Sequence, residues 1–205
     1  LPALVRAMRA ARQNGGLTQS AASQARPGCV TIMTVHRSKG LEFPVVFVAG
    51  TSHRFNNADT LSPVLFHREL GVGMTLRAPG GASRYKTLPY AALSQTIRTE
   101  TLSEEMRILY VALTRAQDAL FITLPLKDAA GALKAPALYA NAGMTGPEAL
   151  QDFQSWSGWL LTAALRHPDS GALWAKTDFL PSQGDSAAPL AIRVLDAPDA
   201  LPGPE

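Results

Sequence analysis

The chain has 205 residues, of which 46% are hydrophobic and 17% charged, a composition typical of a globular protein with a core of its own. No apolar run approaches the roughly 18 residues of a membrane-spanning helix, and the single cysteine, Cys29, excludes an internal disulfide. The net charge of +3 is uneven, with +4 over residues 1–30, +4 over 31–115 and −5 over 116–205, so cations concentrate where polar motifs lie.

The first quarter of the chain predicts a helix, a linker and two strands. Residues 3–13 form an amphipathic pattern that ends at Gly15-Gly16, and a polar Ser/Gln/Ala stretch follows as far as Pro27. Strands are predicted over 29–35 and 45–49. Their nearly continuous apolar character is typical of a sheet covered on both faces.

A hairpin and a long helical stretch are predicted next. Segments Val64–Arg68 and Val72–Leu76 alternate weakly around Glu69-Leu70-Gly71, which favours a β-hairpin. From 89 to 116 the pattern is helical, and we expect two pieces, the second capped by Thr101-x-x-Glu104.

The last third is predicted to hold a strand and a helix. Ala119–Leu124 is apolar and is stopped by Pro125, which predicts a strand. Residues 151–165 form an amphipathic helix rich in tryptophan and leucine. Residues 126–150 and 178–205 show no periodicity that assigns an element.

A cluster of polar residues follows the first predicted strand. Its members are Thr34, His36, Arg37, Ser38 and Lys39. Small hydroxyl groups and cations at the carboxyl edge of a sheet suit a phosphodiester backbone, which is contacted without reading sequence. The same pattern also fits hydroxyl caps on a helical turn within a solvated, arginine-rich surface. Gly40 then allows the chain to turn tightly.

Glu42 is a carboxylate in an otherwise apolar run. The hydroxyl pair of a sugar is a natural partner for such a group, and an ion pair with Lys39 or Arg37 is the alternative. His36 by itself predicts no metal site, because no second ligand stands at the required spacing.

Arg115 stands where the long helical stretch gives way to the strand over 119–124. Its five donors match phosphate oxygens, so it could neutralise charge on a transferred phosphoryl group as an arginine finger. The alternative is an arginine that pairs with Glu104 or Asp118, or that is merely solvated. Arg107 is the more structural of the two arginines.

Two segments together resemble a known family. Thr34–Val46 resembles motif five of the UvrD/Rep-like superfamily 1 DNA helicases, and Glu105–Ala116 resembles motif six. Finer matches resemble the AddA subunit of AddAB helicase–nucleases, with RecB as the next relative, whereas UvrD and Rep have a shorter connection here. Those finer matches are Val48-Ala49-Gly50, Arg54-Phe55-Asn56, Glu69–Gly73, Leu88-Pro89 and the Trp-rich helix over 153–168.

The resemblance implies an α/β fold: part of RecA-like (P-loop NTPase) domain 2A, with a parallel sheet, an inserted β-hairpin and flanking helices. Residues 1–27 would end an inserted helical 2B-like subdomain and its linker. Residues 28–125 would form the later half of domain 2A, with motifs five and six. Residues 126–205 would be a helical linker toward a nuclease domain that this chain lacks.

The resemblance also implies the site residues. Arg115 would be catalytic and contact the γ-phosphate of ATP, Glu42 would contact the ribose, and Gly40 would lie beside the nucleotide. Single-stranded DNA would lie against Thr34, His36, Arg37, Ser38 and Lys39. ATP and Mg²⁺ are the implied cofactors, with the ligands of the metal outside this chain.

The chain lacks a G-x-x-x-x-G-K-[ST] loop and an acidic magnesium motif, and it has no initiator methionine. We therefore expect an inactive fragment of a cytoplasmic ATP-dependent helicase/nuclease subunit. Its parent would move on single-stranded DNA and process double-strand break ends in recombinational repair, with an AddB-like partner. The alternatives are a UvrD/Rep- or RecB-like helicase without the AddA nuclease, and a non-catalytic DNA- or partner-binding domain.

Overall fold

The computed structural model describes residues 28–78, 80–81, 83–143, 146–181 and 189–195. The predicted helix over 3–13 and the linker to Pro27 lie outside these residues. The chain divides into two units, Leu1–Ser38 and Lys39–Glu205, which we describe one at a time.

The described part of the first unit is an extended segment that ends in a 3-10 turn, Val35–Ser38. The predicted strand over 29–35 is wrong, because residues 29–34 join no sheet. Val30 and Ile32 are 73% and 69% exposed. A strand needs a partner for its backbone groups, and residues 28–38 contain no second strand that could supply one. Apolar character alone therefore misidentified this segment.

The second unit contains, within its described residues, five strands and five α-helices. In chain order they are β1 (Phe43–Val48), β2 (Val64–His67), β3 (Gly71–Arg77), β4 (Arg84–Lys86), α1 (Leu88–Leu113), β5 (Ala116–Ile122), α2 (Ala129–Asn141), α3 (Pro147–Gln151), α4 (Trp156–Leu165) and α5 (Gly171–Trp174).

Strands β1 and β5 pair in parallel, as the resemblance implied. Phe43 lies opposite Ala116 and Val45 opposite Ala119, so the register shifts by one residue at Pro44. Proline has no N–H for the ladder, which explains why the irregularity falls there. Both strands were predicted, and each begins two or three residues earlier than expected.

Strands β2, β3 and β4 form a separate antiparallel sheet. The β2–β3 hairpin confirms the prediction, with Val64 opposite Met74 and the turn closing at Gly71. The short strand β4 was missed. On one face Leu65 packs against Tyr90 of α1, and both side chains are buried.

Helix α1 is one continuous helix of 26 residues, so the expected division into two pieces is wrong. It begins at Thr87, whose hydroxyl accepts a hydrogen bond from the N–H of Tyr90 (3.3 Å). The Thr101 hydroxyl instead donates to the carbonyl of Ile97 (2.9 Å). Hydroxyls inside a helix satisfy themselves in this way without ending it, and this is why the capping pattern misled.

The remaining helices enclose a core that the sequence indicated only in part. Helix α4 confirms the predicted helix, whereas α2 occupies a stretch left without an element. Asp128 caps α2 by accepting from the N–H of Gly131 (3.1 Å), and Pro136 inside the helix obscured its periodicity. The core cluster comprises Leu133, Ala137, Ala140, Leu161, Leu165, Leu173 and Trp174. Among the described residues, no helix has the length and apolar character needed to cross a bilayer.

Candidate functional site at the start of the parallel strands

The predicted residues Glu42 and Arg115 lie at the same edge of the parallel sheet. Glu42 directly precedes β1, and Arg115 directly precedes β5. The N–H of Phe43 donates to the carbonyl of Arg115 (2.9 Å), which makes the first contact between the two strands. Because parallel strands begin at one edge, residues that precede them are brought together.

The Arg115 side chain folds over the end of its own helix. Thr114 caps α1, with its hydroxyl donating to the carbonyl of Tyr110 (2.9 Å). Arg115 Nε donates to the carbonyl of Val111 (2.9 Å), and Nη2 donates to the Thr114 hydroxyl (3.0 Å). The carboxyl end of a helix offers free carbonyls and a partial negative charge, which favour a cation there.

The same guanidinium also contacts the loop before β1. Arg115 Nη1 donates to the carbonyl of Leu41 (3.0 Å). The alternatives of a pair with Glu104 or Asp118 are wrong, because within the described part of this unit Arg115 forms no ion pair. Glu104 instead pairs with Arg107 at 3.1 Å on the surface. The acceptors that Arg115 contacts are all neutral, so its charge is left for an anion.

The carboxylate of Glu42 is exposed and is held on one side only. Its Oε2 accepts a hydrogen bond from Nε2 of Gln117 (3.1 Å). Within the described residues of this unit Glu42 forms no ion pair with Lys39, and its Oε1 has no hydrogen-bond donor. The arrangement leaves one carboxylate oxygen open to a hydroxyl group. The sequence did not single out Gln117.

The turn before Glu42 depends on glycine. Gly40 has φ of +81°, a conformation that residues with a side chain rarely adopt, and a Cβ there would meet open space. This confirms the tight turn predicted at Gly40. Lys39 beside it is exposed. The turn brings the Leu41 carbonyl and the Glu42 side chain to the start of β1.

In the first unit, Thr34, His36 and Arg37 are exposed, whereas Ser38 is buried. The carbonyl of Thr34 accepts from the N–H groups of Arg37 (3.0 Å) and Ser38 (3.3 Å). The Ser38 hydroxyl donates to the carbonyl of Val35 (2.7 Å). The hydroxyl of Ser38 is thus used within the turn, while the side chains of the other three residues face solvent.

A second polar cluster lies in a surface cleft of about 690 Å³ beside β2. Nδ1 of His67 accepts from the N–H groups of Glu69 and Leu70 (3.2 Å each), so Nε2 is the nitrogen that donates to Glu100 (3.1 Å). These bonds tie the hairpin turn to α1. We therefore interpret His67 as structural.

Comparison with known proteins adds a family and several relatives. The family described as the UvrD-like helicase C-terminal domain matches residues 12–127. The AddA-type protein of Desulforamulus reducens, named as a subunit of an ATP-dependent helicase/nuclease, is 41% identical over 171 residues, which cover 81% of this chain and 14% of that protein. The protein of the same name from Geobacillus kaustophilus is 42% identical over 146 residues, covering 70% and 12%.

The protein of this name from Lactiplantibacillus plantarum is 36% identical over 176 residues, covering 84% of this chain and 14% of that protein. The chain thus spans about one seventh of the length of the curated relatives it matches.

Proposed function

This chain belongs to the family of UvrD-like helicase C-terminal domains, and from that premise we propose that it is the motor-domain portion of a longer ATP-dependent helicase/nuclease subunit. The relatives that support this proposal carry the name of such a helicase/nuclease. The parent protein would move along single-stranded DNA, process double-strand break ends for recombinational repair, and act in the cytoplasm with an AddB-like partner.

In this proposal the edge formed by Glu42 and Arg115 faces ATP. The partly exposed guanidinium of Arg115 has only neutral acceptors, so it can donate to the γ-phosphate and neutralise charge that develops during transfer. The open oxygen of Glu42 can accept from a ribose hydroxyl. Gly40 lets the backbone pass close to the nucleotide. ATP, with Mg²⁺ held by residues outside this chain, supplies the phosphoryl group.

The DNA backbone is the proposed partner of the segment from Thr34 to Lys39. Exposed Arg37 and Lys39 supply positive charge, and Thr34 and His36 supply exposed hydrogen-bonding groups. Such contacts position a protein on DNA without reading its sequence. Ser38 would contribute through its place in the turn.

One observation carries the proposal: Arg115 Nη1 donates to the carbonyl of Leu41, the residue before Glu42. The arginine of the second motif is thereby bonded to the loop of the first. If Arg115 turns toward a phosphate, the Leu41 carbonyl loses its donor. A change at the nucleotide is then felt by the loop that leads to the DNA-facing residues.

Substitution Arg115→Ala in the full-length protein tests this role. Loss of an arginine finger costs roughly 10³-fold or more in kcat, while ATP binding should be spared. The measurements are DNA-stimulated phosphate release and equilibrium binding of a fluorescent ATP analogue.

Arg107→Ala is the matched control, because its exposed pair with Glu104 lies away from the sheet edge. We expect it to hydrolyse ATP at close to the normal rate. Near-normal turnover by the Arg115→Ala protein would contradict the proposed role.

A further inference from the structure

Gln117 holds one side of the Glu42 carboxylate. The distance from its Nε2 to Oε2 of Glu42 is 3.1 Å, and both side chains are exposed. The contact therefore adds little to the stability of the fold. An exposed glutamate would otherwise sample many rotamers, so a fixed donor on one oxygen has its effect on orientation.

The chemistry of an amide suits this position. A glutamine donates a hydrogen bond without adding charge, so the carboxylate keeps its full negative charge for a second partner. A lysine there would neutralise the carboxylate, and a glutamate would repel it. The donor engages Oε2, which leaves Oε1 to accept from a ligand.

Gln117 and Arg115 are two residues apart on the chain, Gln117 within β5 and Arg115 just before it. Side chains two residues apart along a strand point to the same side, so both project from one short piece of backbone. Arg115 contacts the carbonyl of Leu41, and Gln117 contacts the side chain of the next residue, Glu42. The phosphate-facing and ribose-facing groups are thus held by the same two segments.

From this geometry we propose that Gln117 is a positioning residue for Glu42, and that it sets the preference of the site for ribose over deoxyribose nucleotides. The inference rests on the proposed function, in which Glu42 accepts from a ribose hydroxyl. Gln117 orients the carboxylate but does not touch the nucleotide.

The test compares ATP with 2′-deoxy-ATP and 3′-deoxy-ATP in DNA-stimulated hydrolysis by the full-length protein. Gln117→Leu keeps the size of the side chain and removes the donor. We expect kcat/KM for ATP to fall about three- to tenfold toward the value for a deoxy analogue, as for a lost hydrogen bond to a charged group. Glu42→Ala should abolish the preference, and the double variant should match Glu42→Ala because the two residues act as one unit.

Gln95→Leu is the matched control. Gln95 is also exposed, and it bonds the Gln151 side chain (3.3 Å) on a different part of the unit. Its substitution should leave the ratio between ATP and its deoxy analogues unchanged.

The outcomes separate the inference from the proposed function. If Glu42→Ala lowers the preference and Gln117→Leu does not, Gln117 has no positioning role and the proposed function stands. Additive losses in the double variant would likewise overturn the inference. If neither substitution changes the preference, the ribose role of Glu42 fails and the inference fails with it.

Discussion

Arg115 illustrates how a charged side chain can be held ready without being neutralised. Its Nε and Nη1 donate to backbone carbonyls and its Nη2 donates to a hydroxyl. A carboxylate partner would have held the guanidinium more strongly and opposed its transfer to a phosphate. Carbonyl dipoles orient the group and leave its charge unspent.

A separate residue-scale contact gives a prediction about pH. The Tyr139 phenol donates a hydrogen bond to the Asp152 carboxylate, and this bond raises the pKa of Tyr139 above its ordinary value of 10.0; burial and the charge of Asp152 act in the same direction. The fold therefore favours the protonated phenol. This contribution to stability is complete below the ordinary pKa and is lost as pH rises through the raised value.

Asp152→Asn should lower the pKa of Tyr139 toward its ordinary value, because the amide carries no charge. The measurement is the ultraviolet absorbance of phenolate during an alkaline titration. Tyr139→Phe identifies the transition by removing it. An unchanged titration in the Asp152→Asn protein would show that the carboxylate does not control this phenol.

The candidate site could be predicted from the sequence only as far as chain order and motif allow. Arg115 and Glu42 each stand beside a predicted strand, so their meeting at one edge followed from parallel pairing. Gln117 could not be found in this way. Its contact with Glu42 depends on the strand register, and the register shifts at Pro44.

At the scale of elements, the antiparallel sheet and α1 are fitted together at Gly73. A Cβ on Gly73 would lie 2.7 Å from both the Cα and the N of Tyr90, which are backbone atoms of the helix. Backbone cannot move aside as a flexible side chain can. The absence of a side chain at this position therefore allows the sheet to approach the helix.

Gly73→Ala should destabilise the protein by about 1–3 kcal/mol, as other overpacked interiors do. The measurement is the midpoint and slope of urea unfolding. Gly171→Ala is the control, because a Cβ there meets nothing within 4 Å and α5 begins at that residue. It should change stability by less than about 0.5 kcal/mol. Equal effects from the two substitutions would contradict the close fit at Gly73.

Elements with a regular pattern were predicted and irregular ones were not. The β2–β3 hairpin alternates, and the residues of α4 repeat at helical spacing, so both were found from sequence. Helix α2 contains Pro136 and many small residues, which flatten the pattern. The segment over 29–34 has the apolar character of a strand but no partner in its unit, and pairing is a property that a local sequence does not contain.

At the scale of the whole molecule, the second unit has three buried clusters rather than one. One lies among the last helices, one joins α1 to α4, and one joins α1 to the antiparallel sheet. Phe47 and Phe121, by contrast, stack at 4.6 Å on the parallel sheet while remaining 67% and 49% exposed. The sheet with the candidate site is thus the part of the unit with the least burial around it.

We expect the 205-residue chain alone to lack DNA-stimulated ATPase activity. Arg115 and Glu42 supply a cation and a hydroxyl acceptor, whereas the sequence has no G-x-x-x-x-G-K-[ST] loop to hold the phosphates. Phosphate release, measured with and without single-stranded DNA, should stay at the level of a reaction without protein. Clear turnover would contradict the proposal that the catalytic machinery is divided between this chain and the rest of its parent.

The path from β1 to β5 has a consequence for how such chains can diverge. The two strands pair directly, yet the antiparallel sheet and α1 both lie in the connection between them. That sheet is attached to α1 through Leu65, Tyr90 and Leu93. Length can therefore be gained or lost in this connection over evolution while the pairing of Phe43 with Ala116 is retained. Homologues should differ most in length between these two strands and least at the edge where the strands begin.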